Sequence, residues 1–146
     1  MSQACPFCEI VTGRAPATIV HEWPEAIAII PLNPVVQGHV LVLPREHVPD
    51  FTSFPKISAA TMLCAAELVA GMGSYNLITS KGRPATQSVF HLHLHLVPRT
   101  EGDGLALPWH SGRRTHHTQV QVHPDPPHIA AAIRDVRRHG LPPRHT

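Results

Sequence analysis

The chain is poor in charge, in cysteine and in long apolar runs, and each shortage closes off a class of function. Charged residues make up 15% of its 146 positions and the formal charge is only +2, too weak a balance to argue for a nucleic-acid partner. No apolar stretch approaches the length of a membrane span, so no membrane partner is expected. The opening MSQACPFCEI lacks a basic segment followed by an apolar run, so no secretory leader is expected and the cytoplasm is the default location. With three cysteines in a reducing compartment, structural disulfides are not expected either. Internal repeats and low-complexity tracts are missing. The length fits a single core, and 42% hydrophobic residues fit a globular chain.

What the chain has in excess is histidine, 13 in all, and the arrangement of three of them is informative. In VFHLHLHLVPR, residues 89–99, His91, His93 and His95 alternate with Leu92, Leu94 and Leu96. Side chains on a strand point alternately to opposite faces, which puts three imidazoles in one row and three leucines on the other face. Successive members of the row stand roughly 6.7 Å apart, so a phosphate-sized group can touch the middle ring and a neighbour together. A strand could carry histidine on its polar face by chance. Three in a row instead suggest a need for a proton, a nucleophile or a metal ligand near neutral pH.

The remaining pattern predicts an α+β fold. Cys5 to Thr12 suits a short helix, and strands are expected at Thr18 to Glu22, Ala26 to Leu32 and His39 to Leu43, the last stopped by Pro44. Residues 57–72 suit a long helix with Ser58 near its N-cap and Gly71 or Gly73 ending it. Its apolar residues run nearly all round, implying deep burial or an interface. Tyr75 to Ser80 and Val89 to Pro98 complete a sheet of about five antiparallel strands. After Pro98 the composition shifts to Gly, Pro, Arg and His, with a tail helix expected over His128 to His139.

CPFCEIVTGRAPATIV, LNPVVQGHVLVLPREHV, YNLITSKGRPATQSVF and the histidine row occur in an order that closely resembles the histidine triad (HIT) nucleotide hydrolases and transferases, in their HINT-like branch. The likeness covers most of residues 5–109, which it makes a HIT-like domain, with 110–146 as a tail packing on the core or on a partner subunit. It implies a homodimer. It also implies a nucleotide phosphoramidate or phosphoanhydride hydrolase acting through a covalent nucleotidyl-histidine on His93. His95, Ser88 and His39 would assist: His95 as a donor to phosphate oxygen, Ser88 at the phosphate or leaving group, His39 as support from a neighbouring strand. A purine nucleotide or related phosphorylated small molecule would meet Phe7, Ile10, Leu32, Asn33, Ser80, Thr86, Gln87 and Trp109.

Three positions depart from the family pattern. Pro31 stands where an acidic residue usually binds the ribose hydroxyls, leaving Asn33 to take over that contact or none at all. Ser80 replaces a common asparagine, and Thr86 a common glycine, which would tighten the loop. These departures sustain a second reading, a nucleotide-binding or scaffold module without turnover. Cys5 and Cys8 form a CxxC pair whose residue types suit zinc or redox exchange. In some family members such a pair joins two histidines around structural zinc, which map here to His47 and His91. A catalytic metal site of the cupin or metallohydrolase kind would need a carboxylate near the row, and none follows His95 until Glu101.

Overall fold

The computed structural model describes residues 4–107, of which those up to Gly104 form one unit. In chain order they form α1 (Pro6–Val11), β1 (Thr18–Glu22), β2 (Ala26–Ile30), β3 (Val40–Pro44), α2 (Pro55–Val69), β4 (Ser74–Ile78), a 3-10 turn at Arg83–Ala85, and β5 (Leu94–Arg99). The strands make one five-stranded sheet in the order β1-β2-β3-β5-β4, every neighbouring pair antiparallel. This is the expected α+β layout. The expected tail helix over 128–139 and Trp109 lie outside the described residues.

Proline sets two boundaries differently from expectation. β2 stops at Ile30 rather than Leu32, because Pro31 has no N–H to offer the ladder. β5 begins at Leu94 rather than Val89: its last partner on β3 is Val42, and continuing the register would set Leu43 opposite His93 and Pro44, which has no N–H to donate, opposite Leu92. Residues 91–93 therefore precede the strand, although their alternation persists. β4 likewise ends at Ile78, short of Ser80.

The α2 helix starts earlier than the sequence suggested. Pro55, with its pre-set φ, occupies the first turn, and Phe54 is the N-cap without a side-chain cap bond. Ser58 is not the cap. It lies inside the helix, where its hydroxyl donates to the Phe51 carbonyl at 2.7 Å. At the other end Gly71, at φ +76°, turns the chain out in a conformation that costs glycine nothing. The helix is not buried all round: Thr61, Cys64 and Ala65 face inward, while Met62 and Leu63 are exposed.

Period-two alternation divides the core into two layers. Ala26, Ala28, Val42, Leu92, Leu94 and Leu96 pack with Cys64 and Ala65 of α2 on one face. Ile27, Ile29, Leu41 and Leu43 on the other face pack against Phe7, Ile10 and Val11 of α1. Wholly burying a leucine is worth about 1.5–3 kcal/mol, so Leu92, Leu94 and Leu96 fix which way the histidine row faces. His95 pairs with Leu41 and so shares the α1 face. Burial of Cys64, with Glu25 beside it, pushes that thiol up to about 11, an unreactive core position.

Candidate active site and metal centre

Two clusters form on the α1 face, and the histidine row is divided between them. His91 turns toward Cys5, Cys8 and His47, whereas His93 and His95 face each other with ring centroids 5.0 Å apart.

The protonation of His93 follows from its partner. Its Nδ1 lies 2.7 Å from the His91 carbonyl, which can only accept, so the proton sits on Nδ1 and Nε2 carries a free lone pair. Burial lowers the pKa of this ring and keeps it neutral. It remains 9% exposed, at the margin of the core rather than sealed within it, with Phe7 edge-on at 5.1 Å. Thr79, a residue the sequence analysis passed over, donates its hydroxyl to the His93 carbonyl at 3.0 Å. The only signal for it is the register of β4, which if continued beyond Ile78 sets 79 opposite 94 and 80 opposite 93.

A second chain of bonds fixes His39 and His95. The backbone N–H of Val35 donates to His39 Nδ1 at 3.1 Å, so the His39 proton is on Nε2. That Nε2–H meets His95 Nδ1 at 3.0 Å, and the His95 proton must then sit on its own Nε2. His95 is thus a donor backed by a chain of donors that begins at the Val35 main-chain amide. Burial lowers His39; burial first, then His93 and His39, bring His95 down to about 4. His39 is held at the loop between β2 and β3, where Gly38 takes φ +88° and a Cβ would stand 3.2 Å from Pro98 Cγ. Glycine is required there.

These shifts make acid the enemy of the fold. Below their ordinary value near 6.5, His39 and His95 bind protons in the unfolded chain that the folded chain refuses, so stability is intact above that pH and declines as pH falls toward 4. For His95 alone the loss at pH 4 is at most about 3 kcal/mol. Urea midpoints of metal-stripped wild type and His95→Gln at pH 7 and pH 4 check this: the wild type should lose more. Equal losses would contradict it.

The loop between β4 and the row carries Ser80, Thr86, Gln87 and Ser88. Ser88 and Thr86 are exposed, and Ser80 is half-buried. Gln87 is buried and its carboxamide braces the loop, accepting from Gly82 N–H at 2.8 Å and donating to Pro49 O at 2.7 Å and Val89 O at 3.1 Å. Thr86 sits at φ +67°, where a β-branched residue is strained by about 1–2 kcal/mol. Thr86→Gly should therefore raise the unfolding free energy by about 1 kcal/mol in urea titration. No gain would show that the loop is relaxed around threonine. Phe7 and Ile10 are half-buried under the sheet, while Leu32, at 97% exposure, and Asn33 project from the loop after β2.

At the second cluster His91, wholly buried, donates Nε2–H to the Pro44 carbonyl at 2.9 Å, leaving the Nδ1 lone pair free. Around that nitrogen lie Cys5 Sγ and Cys8 Sγ, each at 3.5 Å, and His47 Nδ1 at 3.3 Å; Cys8 Sγ and His47 Nδ1 are 3.3 Å apart. Burial and then Cys5 raise the Cys8 thiol, as expected of two sulfurs brought together, and the Arg14 charge opposes this only in part. A tetrahedral centre with Zn–S near 2.3 Å and Zn–N near 2.05 Å would set N···S about 3.6 Å and N···N about 3.3 Å apart. The four ligand atoms lie within 4.8 Å of one another and close enough to hold a metal ion. The Pro44 carbonyl supplies the second contact that orients His91 as a ligand.

The HIT domain family matches residues 12–102, and the chain belongs to that family. It is 34% identical over 112 residues to adenosine 5'-monophosphoramidase hnt1 of Schizosaccharomyces pombe, covering 74% of this chain and 84% of that protein. Against adenylylsulfatase HINT3 of Arabidopsis thaliana identity is 33% over 108 residues, 69% of this chain and 55% of that one. Among solved structures, a zinc-bound histidine triad family protein from Mycobacterium smegmatis superposes with TM-score 0.64 at 35% identity, covering 70% of this chain and 80% of that one. Cys5 and Cys8 lie outside the matched family segment, so half of the metal cluster comes from the chain that precedes it.

Proposed function

We propose that this chain is a nucleotide phosphoramidate or phosphoanhydride hydrolase that works through a covalent nucleotidyl-histidine on His93. The observation that carries this reading is the 2.7 Å bond from His93 Nδ1–H to the His91 carbonyl, which frees Nε2 for attack and stabilises the positive ring that attack creates. In the first step Nε2 bonds to phosphorus and the leaving group departs; in the second, water attacks phosphorus and returns the free imidazole. His95 Nε2–H donates to a phosphate oxygen, with His39 holding its tautomer. The Ser88 hydroxyl serves the same phosphate or the leaving group. The activities named for hnt1 and HINT3 support the substrate class, an adenylate joined to nitrogen or to an acid anhydride.

We assign Phe7 and Ile10 to the base side of the pocket and Asn33 to the ribose, in place of the acid that Pro31 displaces. Leu32, Ser80, Thr86 and Gln87 complete or support the substrate site. Zinc is the metal that best suits two thiolates and two imidazoles, and Cys5, Cys8, His47 and His91 would hold it as a structural cross-link. A homodimer in the cytoplasm completes the reading, supported by the exposed Phe54, Met62 and Leu63. In the described residues no helix is long and apolar enough to cross a membrane.

A panel of adenosine phosphoramidate, adenylylsulfate and dinucleoside polyphosphates, scored by rate of AMP release, tests the activity. Turnover of at least one is expected. Binding without turnover across the panel would leave the module reading instead. Metal analysis of the purified chain should return one zinc per chain, lost in Cys8→Ser; a metal-free wild type that cannot be loaded would contradict the zinc assignment.

A further inference from the structure

Residues 91–93 carry both the attacking imidazole and the carbonyl that sets its tautomer, yet they lie outside the sheet ladder. β5 pairs with β3 only as far as Leu94 and with β4 only as far as His95. Other attachments take the ladder's place. The His91 ring is pinned between the Pro44 carbonyl and the Cys5–Cys8–His47 cluster. The Leu92 N–H donates to the Val48 carbonyl at 2.7 Å, and the Thr79 hydroxyl grips the His93 carbonyl from the end of β4.

The arrangement matters because a free histidine side chain favours the Nε2–H tautomer, which has no lone pair at the nitrogen that must attack. Only a carbonyl held in line with Nδ1 reverses that preference, and His91 supplies it at 2.7 Å. The direction of that carbonyl depends on where the residue that owns it is anchored. Its ring is a member of the metal cluster, and the carbonyl two residues along, that of His93, is the one Thr79 holds. Phe7, between the two cysteines, lies edge-on to both His91 and His93 at 5.9 and 5.1 Å, so the same loop that supplies the sulfurs also packs against the nucleophile.

We propose that His91 and Thr79 are positioning residues, which from opposite sides hold the 91–93 backbone so that His93 keeps its Nδ1–H tautomer. The metal cluster then acts on the reaction without touching substrate: it fixes the peptide that prepares the nucleophile. The kinetic part of this inference rests on the reading of His93 given above; the tautomer part does not.

The test uses the full chain with zinc loaded, stripped by chelator and reloaded, together with Thr79→Val, Thr79→Ser and His47→Gln. Imidazole 15N shifts give the His93 tautomer, its signals identified by their loss in His93→Gln. Rates with adenosine phosphoramidate give kcat and KM, and circular dichroism follows the fold. Loaded wild type should show one Nδ1–H form. Thr79→Val, His47→Gln and the stripped protein should show a mixture with Nε2–H, with kcat reduced roughly ten-fold or more and KM within about two-fold. Thr79→Ser and reloading should restore both. An unchanged tautomer in Thr79→Val and in the stripped protein would overturn the proposal. So would an effect on KM alone, or unfolding of the chain on stripping while Thr79→Val behaves as wild type. Should wild type turn over no substrate, the hydrolase reading fails, and the tautomer data still decide the positioning claim.

Discussion

His93→Ala is expected to lower kcat by on the order of 10⁴-fold while leaving the fold intact. The magnitude follows from the division of labour at the site. His39 and His95 form their own bonded pair and survive the loss of the middle ring, as does any contact with the base. What disappears is the one lone pair prepared for phosphorus, and no other group on the α1 face replaces it. KM should move little, because the residues assigned to the base and ribose lie on α1 and on the loop after β2. The ring retains only 9% exposure, so truncation leaves a small void at the core margin and costs about 1–2 kcal/mol. Steady-state kinetics beside urea unfolding separate the two effects. A variant that keeps more than a tenth of the wild-type kcat would remove His93 from the chemistry.

The largest stability loss is expected from His91→Ala, about 3–5 kcal/mol. His91 is wholly buried, donates to the Pro44 carbonyl and faces three other side chains close enough to hold a metal ion with it. Removing it empties the space, strands a main-chain acceptor and breaks the ligand set in one step. His47→Gln, at the exposed corner of the same cluster, should weaken metal binding with less than about 1 kcal/mol lost from the stripped chain. Urea titration with and without chelator checks the contrast. Similar losses for both variants in the stripped state would mean that burial of His91 contributes nothing beyond ligation.

Much of this was legible in the sequence because period-two alternation survives folding. Leu92, Leu94 and Leu96 are buried in the layer under α2, as their spacing required, and the CxxC pair meets the two histidines to which the family resemblance pointed. β1 runs from Thr18 to Glu22 as expected. Where expectation failed, proline was usually the cause. Pro31 and Pro44 withhold ladder donors and shorten β2 and β5, and Pro55 starts α2 two residues early, displacing Ser58 from the cap.

The division of the histidine row was legible only through the family resemblance and not from strand spacing. Strand spacing puts three rings on one face, but which ring turns to the sulfurs and which to His39 depends on tautomers fixed by Val35, Pro44 and the His91 carbonyl. Those partners are main-chain groups and carry no residue-type signal. Gln87 shows the same limit: its type suits substrate contact, yet its carboxamide is engaged with Gly82, Pro49 and Val89. Thr79 was invisible because a threonine at the end of a strand is unremarkable until the register shows what lies opposite.

The central claim, that imidazole Nε2 of residue 93 becomes bonded to phosphorus, is most directly tested by rapid acid-free quench of the chain mixed with adenosine phosphoramidate, followed by peptide mass spectrometry. An adenylate mass on the peptide containing His93, formed within one turnover and missing from His93→Ala, is the predicted result. Turnover in wild type with no adduct on that peptide at any time point, or an adduct on another histidine, would contradict it.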